Sequence, residues 1–331
     1  MTIDEIARMT GYSRATVARA LSGKGYCGKD KKEEILRVAK EGGYRPNYSA
    51  RCLREDKTNR ILVCLPNFNN SFYFDLVSGL TEKFAESGYC VMLFDSGGDS
   101  QKELESINML NQKYCDGLVF VSLDFNDDNI AAVRASGRPV VLTNRYLGLR
   151  DDDNFDYVYL DHEKAMYKAT THLIDCGCKR IALFVGNDEQ QTSRERTQGY
   201  YAALNERGIV VDKSLVVDAG FKEDVAATKF AELAGVGADF DGVIAASDLM
   251  GMGIYRAAKS CNLQIGRDFK MVSFDNTDFT TIATPGITSI DMRQREIGAN
   301  AAMLLTERIR GRKQSKTVVL EPRVIVRDSS R

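Results

Sequence analysis

The sequence lacks any long apolar run, which excludes a membrane-spanning helix. No stretch approaches the roughly 18 consecutive apolar residues that such a helix requires. The N-terminus, MTIDEIARM, also lacks the charged and then apolar layout of a secretion signal. Together these two absences predict a cytoplasmic protein with no membrane partner.

Histidine is scarce, and its scarcity argues against enzymatic chemistry and against metal binding. The 331 residues include only two histidines, and neither stands beside a candidate serine or cysteine nucleophile. Eight cysteines are scattered along the chain, but Cys176 and Cys178 have no second pair and no suitably spaced histidine to complete a zinc site. The stretch GMGIYR begins like a dinucleotide fingerprint, but Arg256 stands where the third glycine belongs. We therefore expect reduced structural thiols, no metal, no cofactor and no catalytic residue.

Charge is distributed unevenly along the chain. Residues 1–60 contain 14 Lys and Arg against 8 Asp and Glu, a net charge of +6, whereas the remaining residues carry a net charge of −7. A basic head on an acidic body favours a polyanion as the partner of the head, because Lys and Arg that neutralise phosphates release counterions. On charge alone, a solvated lysine-rich surface remains the alternative.

The first 46 residues predict three short helices. A capping box at Thr2 begins the first helix, which Gly11 ends. Ser13 caps a second helix over residues 14–21. A third helix spans about residues 31–40, and its predicted buried residues are Ile35, Leu36 and Val38. Three short helices around so small a core predict a helix-turn-helix domain.

The second predicted helix exposes residue types that suit DNA. Arg14, Ala15, Thr16 and Arg19 remain outward once the buried positions are removed. Arginine can donate two hydrogen bonds to guanine, a small apolar group can contact a thymine methyl, and hydroxyls bond phosphate. An ordinary amphipathic helix would also expose arginines, so this pattern by itself leaves both interpretations open.

The stretch TIDEIARMTGYSRATVARALSG, followed by GGYRPNYSARCLR, resembles the DNA-binding head of the lactose/galactose repressor (LacI/GalR) family. That resemblance implies that Arg14, Ala15 and Arg19 read bases, and that Ser13, Thr16 and Ser22 face phosphates. It also implies a hinge helix and linker over residues 47–60, whose Leu53 enters the minor groove of the operator. The hinge residues implied to bind DNA are Asn47, Arg51, Leu53 and Arg54. Two departures from the family are local, namely Gly28 where a serine often caps the third helix and Cys52 in the hinge.

Residues 61–331 predict a two-lobed α/β body. Short apolar runs alternate with amphipathic helices, which is typical of parallel sheets covered on both faces. We expect an N-terminal lobe over about residues 61–160 and a C-terminal lobe over about 161–290, with strands from the C-terminal segment completing the sheets. The apolar runs lie at 61–66, 89–94, 117–121, 138–143, 157–160, 180–186, 214–218, 241–247 and 270–276.

This body resembles the type I periplasmic sugar-binding fold, which the same family carries as its effector domain. Matching stretches such as KATTHLIDCGCKRIALFVG and DGVIAASDLMGMGIYRAA extend the resemblance over nearly the whole chain. Two doubly wound lobes place the carboxyl ends of their strands around a shared cleft, where such folds bind small ligands. Cys178 takes the place of a histidine that is usual in the family, and we expect both His172 and Cys178 to be packing residues.

Polar residues that end the predicted strands are candidates for this cleft, namely Asn144, Ser247, Asp248 and Asp275. The resemblance adds Arg196, one turn into its helix, and implies that Arg196 and Asp275 bind ligand hydroxyls. Family members usually carry aspartate where this chain has Asn144. The aromatic candidates, each of which could instead belong to the core, are Phe72, Tyr73 and Phe221.

Together these features predict a sugar-responsive transcriptional regulator that binds a palindromic operator as a homodimer. A purine or phosphosugar corepressor-type regulator is the alternative, and a sugar-binding protein without DNA function is less favoured. The sequence leaves open the identity of the effector, whether it acts as an inducer or a corepressor, and the operator sequence.

Overall fold

The computed structural model describes residues 1–23, 25–45, 52, 55–122, 126–144, 146, 155–237 and 239–331. The chain divides into two compact units, Met1–Lys57 and Thr58–Arg331. The predicted hinge residues Asn47, Arg51, Leu53 and Arg54 lie outside the described residues. The hinge helix and its DNA contacts therefore stay predictions.

The first unit contains three helices in its described residues, α1 (Ile3–Thr10), α2 (Arg14–Ser22) and α3 (Lys29–Glu41). The capping box is present, since the Glu5 amide donates to Thr2 Oγ1 at 3.2 Å and the Thr2 amide donates to Glu5 Oε2 at 2.7 Å. These bonds satisfy amides that the first turn of a helix otherwise leaves unpaired. Short-range sequence signals thus set where α1 begins.

The core of this unit consists of Ile6, Val17, Ala20, Ile35, Val38 and Ala39. Leu36 was predicted to be buried, and this prediction is wrong because 42% of it is exposed. Ile35, Val38 and Ala39 are spaced three and four residues apart and share one face of α3. Leu36 is rotated by about 100° from Ile35 and points away from that face.

The second unit contains twelve strands in its described residues. They are β1 (Arg60–Leu65), β2 (Cys90–Asp95), β3 (Gly117–Phe120), β4 (Val140–Leu142), β5 (Asp156–Leu160), β6 (Ile181–Val185), β7 (Val216–Asp218), β8 (Gly242–Ala245), β9 (Lys270–Phe274), β10 (Thr288–Asp291), β11 (Thr317–Leu320) and β12 (Arg323–Ile325). They form two sheets of six, in the orders β2-β1-β3-β4-β5-β11 and β7-β6-β8-β9-β10-β12. We call the parts built on these sheets lobe 1 and lobe 2.

Helices cover both sheets. They are α4 (Phe72–Glu86), α5 (Ser100–Asn111), α6 (Asp127–Ser136), α7 (His162–Asp175), α8 (Gln191–Glu206), α9 (Glu223–Gly235), α10 (Asp248–Ser260), α11 (Phe279–Ile282) and α12 (Gln294–Ile309). The strand order is the same in the two lobes, and all neighbouring strands are parallel except β12, which runs antiparallel to β10. The predicted fold class, helix-turn-helix head plus two doubly wound lobes, is confirmed.

Two strands depart from the sequence prediction. The second apolar run was expected to be covered on both faces, but β2 is an edge strand, and Leu93 within it is 47% exposed. The strand β10 was not predicted at all, because its sequence, TSID, carries only one aliphatic residue. It is nevertheless buried between β9 and β12, so Ser289 pairs with Ser273 inside the sheet. Apolar runs therefore identify central strands better than edges or polar strands.

The chain passes between the lobes at residue 161, at 292–293 and at 321–322. After the second passage, α12 packs so closely on α4 of lobe 1 that the backbones of the two helices are in contact. A Cβ atom on Gly79 would lie 2.1 Å from the Arg295 carbonyl oxygen, and one on Gly298 would lie 2.1 Å from the Leu76 carbonyl oxygen. Only glycine permits this approach. Because α12 follows lobe 2 in the sequence but packs on α4, lobe 1 is assembled from distant parts of the sequence.

Within the described ranges, no helix is long and apolar enough to cross a membrane.

Candidate functional site

Polar residues from both lobes meet in one cleft. Asn144 follows β4 in lobe 1, whereas Ser247 and Asp275 follow β8 and β9 in lobe 2. All three line a cavity of about 830 Å³, including its open mouth. The position outside the carboxyl ends of parallel strands is where such folds bind small ligands.

Seven predicted site residues line this cavity. They are Phe72, Tyr73, Asn144, Arg196, Phe221, Ser247 and Asp275. The lining residues that the sequence analysis missed are Asn67, Asn70, Leu76, Val121, Ser122, Thr143, Leu160, His162, Thr192, Leu249, Met292 and Ile297. Two of these had a usable signal, since His162 stands two residues beyond a strand end and Thr192 lies one helical turn before Arg196.

Arg196 projects from α8 and is only 7% exposed. Its Nη1 donates to the Ala246 carbonyl oxygen, and its Nη2 lies 3.4 Å from His162 Nδ1. Its guanidinium carbon lies 5.4 Å from the ring centre of Phe221 and 5.1 Å from that of Phe274. Burial lowers the pKa of Arg196, against the opposing effect of the Asp275 carboxylate. The guanidinium is thus held from several sides before any ligand arrives.

Three buried polar atoms on α8 have no hydrogen-bond partner in the described structure, namely Thr192 Oγ1, Arg196 Nε and Thr197 Oγ1. Of these residues, Thr192 and Arg196 line the cavity. Because they are four positions apart on one helix, they share a face. An unpaired buried polar group costs free energy, of the order of 1–3 kcal/mol, which a ligand with matching groups would recover.

Asp275 adopts an unusual backbone conformation at the end of β9. Its φ is 103°, and the next residue, Asn276, also has a positive φ of 55°. Gln294 donates to the Asp275 carbonyl oxygen, and the Asn276 amide donates to Ser289 Oγ at 3.0 Å. Burial raises the pKa of the Asp275 carboxyl well above its ordinary value, and the nearby Asp248 carboxylate adds to the effect. Donors on a ligand would stabilise the charged form.

Asp248 was predicted to bind the effector, but it does not line the cavity. Its side chain turns into lobe 2, where it accepts hydrogen bonds from Ser273 Oγ and from the amide and hydroxyl of Thr277. Burial raises its pKa to about 6 even against these bonds. Its own amide donates to Asp275 Oδ2 at 3.3 Å, so Asp248 holds the loop that carries Asp275.

Three aromatic residues form part of the wall. Phe72 and Tyr73 pack edge to face with ring centres 5.1 Å apart in the first turn of α4. Phe221 has a positive φ of 55°, and its ring lies against Gly186, where a Cβ atom would come within 2.3 Å of Phe221 Cε2. Gly186 therefore leaves the space that this ring occupies.

The remaining residues of chemical interest have ordinary structural contacts. His172 Nε2 lies 2.8 Å from Ser330 Oγ, and the Cys178 thiol donates to the Asp241 carbonyl oxygen at 3.4 Å. All eight cysteines are free. In the part of the chain that the structure describes, no cluster of three or more His, Cys, Asp or Glu residues could hold a metal ion.

The first unit carries the second candidate site on α2. Ser13 Oγ caps this helix by accepting from the Thr16 amide at 3.3 Å, and Ser22 Oγ donates to the Arg19 carbonyl oxygen at 3.3 Å. Arg14 Nε lies 3.4 Å from Asp4 Oδ1, and Arg19 Nε donates to the Ala15 carbonyl oxygen at 3.4 Å. Arg14, Ala15 and Arg19 are all exposed along the helix. This surface combines cations, hydroxyls and a methyl group, the types that contact DNA.

Two family models match the chain in the order of its two units. Residues 2–47 match the bacterial regulatory proteins of the lacI family, and residues 58–327 match the periplasmic binding proteins and sugar-binding domain of the LacI family. The chain belongs to the LacI family. It is therefore a DNA-binding transcriptional regulator with a ligand-binding domain, as predicted.

Relatives extend over the full length of this LacI-family chain. The HTH-type transcriptional regulator RegA of Clostridium saccharobutylicum is 31% identical over 333 residues, covering 99% of both chains. Catabolite control protein A of Priestia megaterium is 29% identical over 333 residues, covering 100% of this chain and 99% of the relative. A solved structure of the transcriptional regulator CelR in complex with cellobiose matches with a TM-score of 0.75 and 29% identity, covering 99% of each chain.

Proposed function

We propose that the cleft binds an uncharged sugar as the effector of this LacI-family regulator. The observation that supports this most is the pair of unpartnered buried groups, Arg196 Nε and Thr192 Oγ1, in a cavity that also contains Asp275. An arginine and a carboxylate together match adjacent hydroxyls, which both donate and accept. The rings of Phe72 and Phe221 supply the apolar surface that a sugar face can cover. The cellobiose bound to CelR is a sugar of this kind.

The charge of the cavity favours an uncharged ligand. Among its described lining residues, Arg196 is the one cation and Asp275 the one carboxylic acid. A phosphosugar would bring about two negative charges into a cavity with a single cation among its described lining residues. A purine is the remaining alternative, because the aromatic rings could also stack on a heterocycle.

The proposed regulation is allosteric. A ligand that binds better when the lobes are closed shifts the molecule toward that state, by as much as its affinities for the two states differ. We propose a homodimer on a palindromic operator, with paired hinges that respond to the change. We also propose binding without turnover, so that sugars should be recovered unchanged.

A thermal-shift screen tests the ligand. Sugars, phosphosugars and purines are each added to the full chain, since a ligand at 100 times its dissociation constant adds about 2.7 kcal/mol to the free energy of unfolding. We expect stabilisation by an uncharged sugar, confirmed by titration calorimetry. Stabilisation by a phosphosugar or purine alone would replace this proposal with one of its alternatives.

The hinge is tested separately. If Leu53 enters the minor groove as the family resemblance implies, Leu53→Ala should weaken binding to specific operator by more than tenfold, because the wedge supports a DNA bend that lets both heads bind. Binding to random DNA and thermal unfolding of the body serve as controls. Equal weakening on all DNA would contradict the wedge.

A further inference from the structure

A chain of hydrogen bonds joins the two lobes at the cleft. In lobe 1, Asn144 Nδ2 donates to the Ser122 carbonyl oxygen at 2.9 Å. Asn144 Oδ1 lies 3.3 Å from His162 Nε2, where His162 is the first residue of α7 in lobe 2. On its other side, His162 Nδ1 lies 3.4 Å from Arg196 Nη2, and Arg196 Nη1 donates to the Ala246 carbonyl oxygen. His162 is therefore the central member of the chain.

Only one assignment of donors and acceptors is consistent with all of these hydrogen bonds. Arginine has donors and no acceptor, so His162 Nδ1 must accept from Arg196 and carry no proton. The single proton of the neutral ring then lies on Nε2 and points to Asn144 Oδ1. This orientation leaves the Asn144 amide group to donate to the Ser122 carbonyl oxygen, as it does. Each contact in the chain then joins one donor to one acceptor, and only the neutral Nε2–H tautomer gives this pairing.

We propose that His162 is a positioning residue whose neutral Nε2–H form links Asn144 of lobe 1 to the ligand-facing Arg196 of lobe 2, and whose protonation breaks this link. A proton on Nδ1 would place two donors against each other at the Arg196 contact. Arg196 would lose its hydrogen bond to His162 and would no longer be linked to lobe 1, whereas the Nε2–H bond from His162 to Asn144 would remain. Acid would thereby loosen the side chain on which the proposed sugar site depends.

Charged groups of both signs lie around His162. Burial and the Arg196 cation lower its pKa well below the ordinary value. Asp275 lines the same cavity, and His162 also lines a second depression. The titratable groups lining that depression beside His162 are Tyr159, Asp161, Glu163 and Glu195. Of these acids, Asp161 caps α7 through the Lys164 amide, and Glu195 accepts from Gln191. The direct contact with Arg196 keeps the ring neutral.

The amide of Asn144 suits this arrangement. It gives His162 an acceptor without adding a charge, whereas a carboxylate at the same place would stabilise the protonated ring. A carboxylate would also place an acceptor against the Ser122 carbonyl oxygen, to which Asn144 Nδ2 and Tyr146 Oη now donate. Asn144 is therefore the partner that a neutral histidine requires.

Nuclear magnetic resonance of the full chain tests the tautomer without a ligand. The chain has only two histidines, so the ring nitrogens of protein labelled with ¹⁵N-histidine are assigned by comparison with a His172→Gln variant. We expect the His162 signals of an Nε2–H tautomer at neutral pH and a titration midpoint below 6.5. An Nδ1–H tautomer, or a midpoint at or above 6.5, would overturn the proposal.

Two substitutions test the neighbours. Asn144→Asp should raise the titration midpoint of His162 and leave that of His172 unchanged. His162→Gln keeps an acceptor and a donor but cannot titrate, so it should remove the acid sensitivity. Because the folded pKa of His162 lies below its unfolded value, the native state binds fewer protons than the unfolded state between these values. Wild-type stability should therefore fall relative to His162→Gln as pH drops below about 6.5.

The outcomes separate this inference from the proposed sugar site. If His162→Gln does not fold, the wild-type resonances and the Asn144→Asp shift still decide the tautomer. An unchanged midpoint in Asn144→Asp would contradict the link to lobe 1. A failed sugar screen with a confirmed tautomer would contradict the proposed ligand but leave the link in place, since these measurements need no ligand.

Discussion

Arginine is used in two opposite ways in the two units. Arg14 and Arg19 on α2 are exposed, with contacts of 3.4 Å to Asp4 and to the Ala15 carbonyl oxygen. Arg196 is 7% exposed, fixed by Ala246 and His162 and packed between two rings. A hydrated arginine keeps its freedom to follow phosphates and base edges, whereas a buried one is prepared for one ligand geometry. Burial, rather than residue type, distinguishes the two kinds of site.

The largest effect should follow from removing the buried arginine. Arg196→Ala should abolish the response to the effector, because each hydrogen bond to a charged group contributes about 1.5–3 kcal/mol. Titration calorimetry should show ligand affinity reduced at least about 100-fold, with operator binding unchanged in the absence of ligand. Arg194→Ala is the matched control, since Arg194 lies on the same helix but donates to the carbonyl oxygens of Asp188 and Glu189. Unchanged affinity in Arg196→Ala would remove it from the site.

Removing an exposed arginine should have a smaller, base-specific effect. Arg19→Ala should cost about 1–3 kcal/mol on the operator and relax the preference at one base position, as expected for a contact to guanine. Competition binding against operators altered at single positions measures both quantities. Arg37→Ala is the control, because Arg37 lies on α3 and pairs with Glu41. Equal losses on operator and random DNA would reduce Arg19 to a phosphate contact.

Removing the cap of α2 should have a smaller effect still. Ser13→Ala deletes the acceptor of the Thr16 amide and should cost about 1 kcal/mol of helix stability. Hydrogen exchange of the α2 amides in the full chain should show faster exchange, while exchange in α7 stays unchanged. Ser13→Thr retains the hydroxyl and should behave like the wild type. Equal exchange rates of the α2 amides in Ser13→Ala and Ser13→Thr would show that the cap contributes nothing.

The smallest effect should appear in the pH dependence of stability without ligand. The folded pKa of Asp275 lies above its unfolded value, so the native state binds more protons than the unfolded state between the two. Wild-type stability should fall as pH rises from about 4 through this window. Urea unfolding of Asp275→Asn should show that decline reduced, with Asp278→Asn, an exposed neighbour, as the control. If the stability of Asp275→Asn declines with pH as much as that of the wild type, the decline is due to another group.

Short-range signals predicted the head well. The capping box at Thr2, the cap at Ser13 and the glycine after α1 act within one helical turn, so the residues themselves decide them. Leu36 was misplaced because a short helix with few apolar residues allows more than one apolar face. The central strands of the body were likewise evident, since a strand buried on both faces must be apolar throughout.

Some features of the cleft likewise follow from local sequence, whereas others depend on tertiary packing. The sequence by itself determined that polar residues such as Asn144 and Asp275 end parallel strands, and hence that they face one edge of each sheet. Only the tertiary structure decided that Asp248 turns inward to Ser273 and Thr277 while its neighbour Ser247 lines the cavity. It alone brought His162 between Asn144 and Arg196, which lie 18 positions before it and 34 after it. The physical reason is that strand ends follow from local patterns, whereas side-chain pairing across a cleft depends on how two separately built lobes pack.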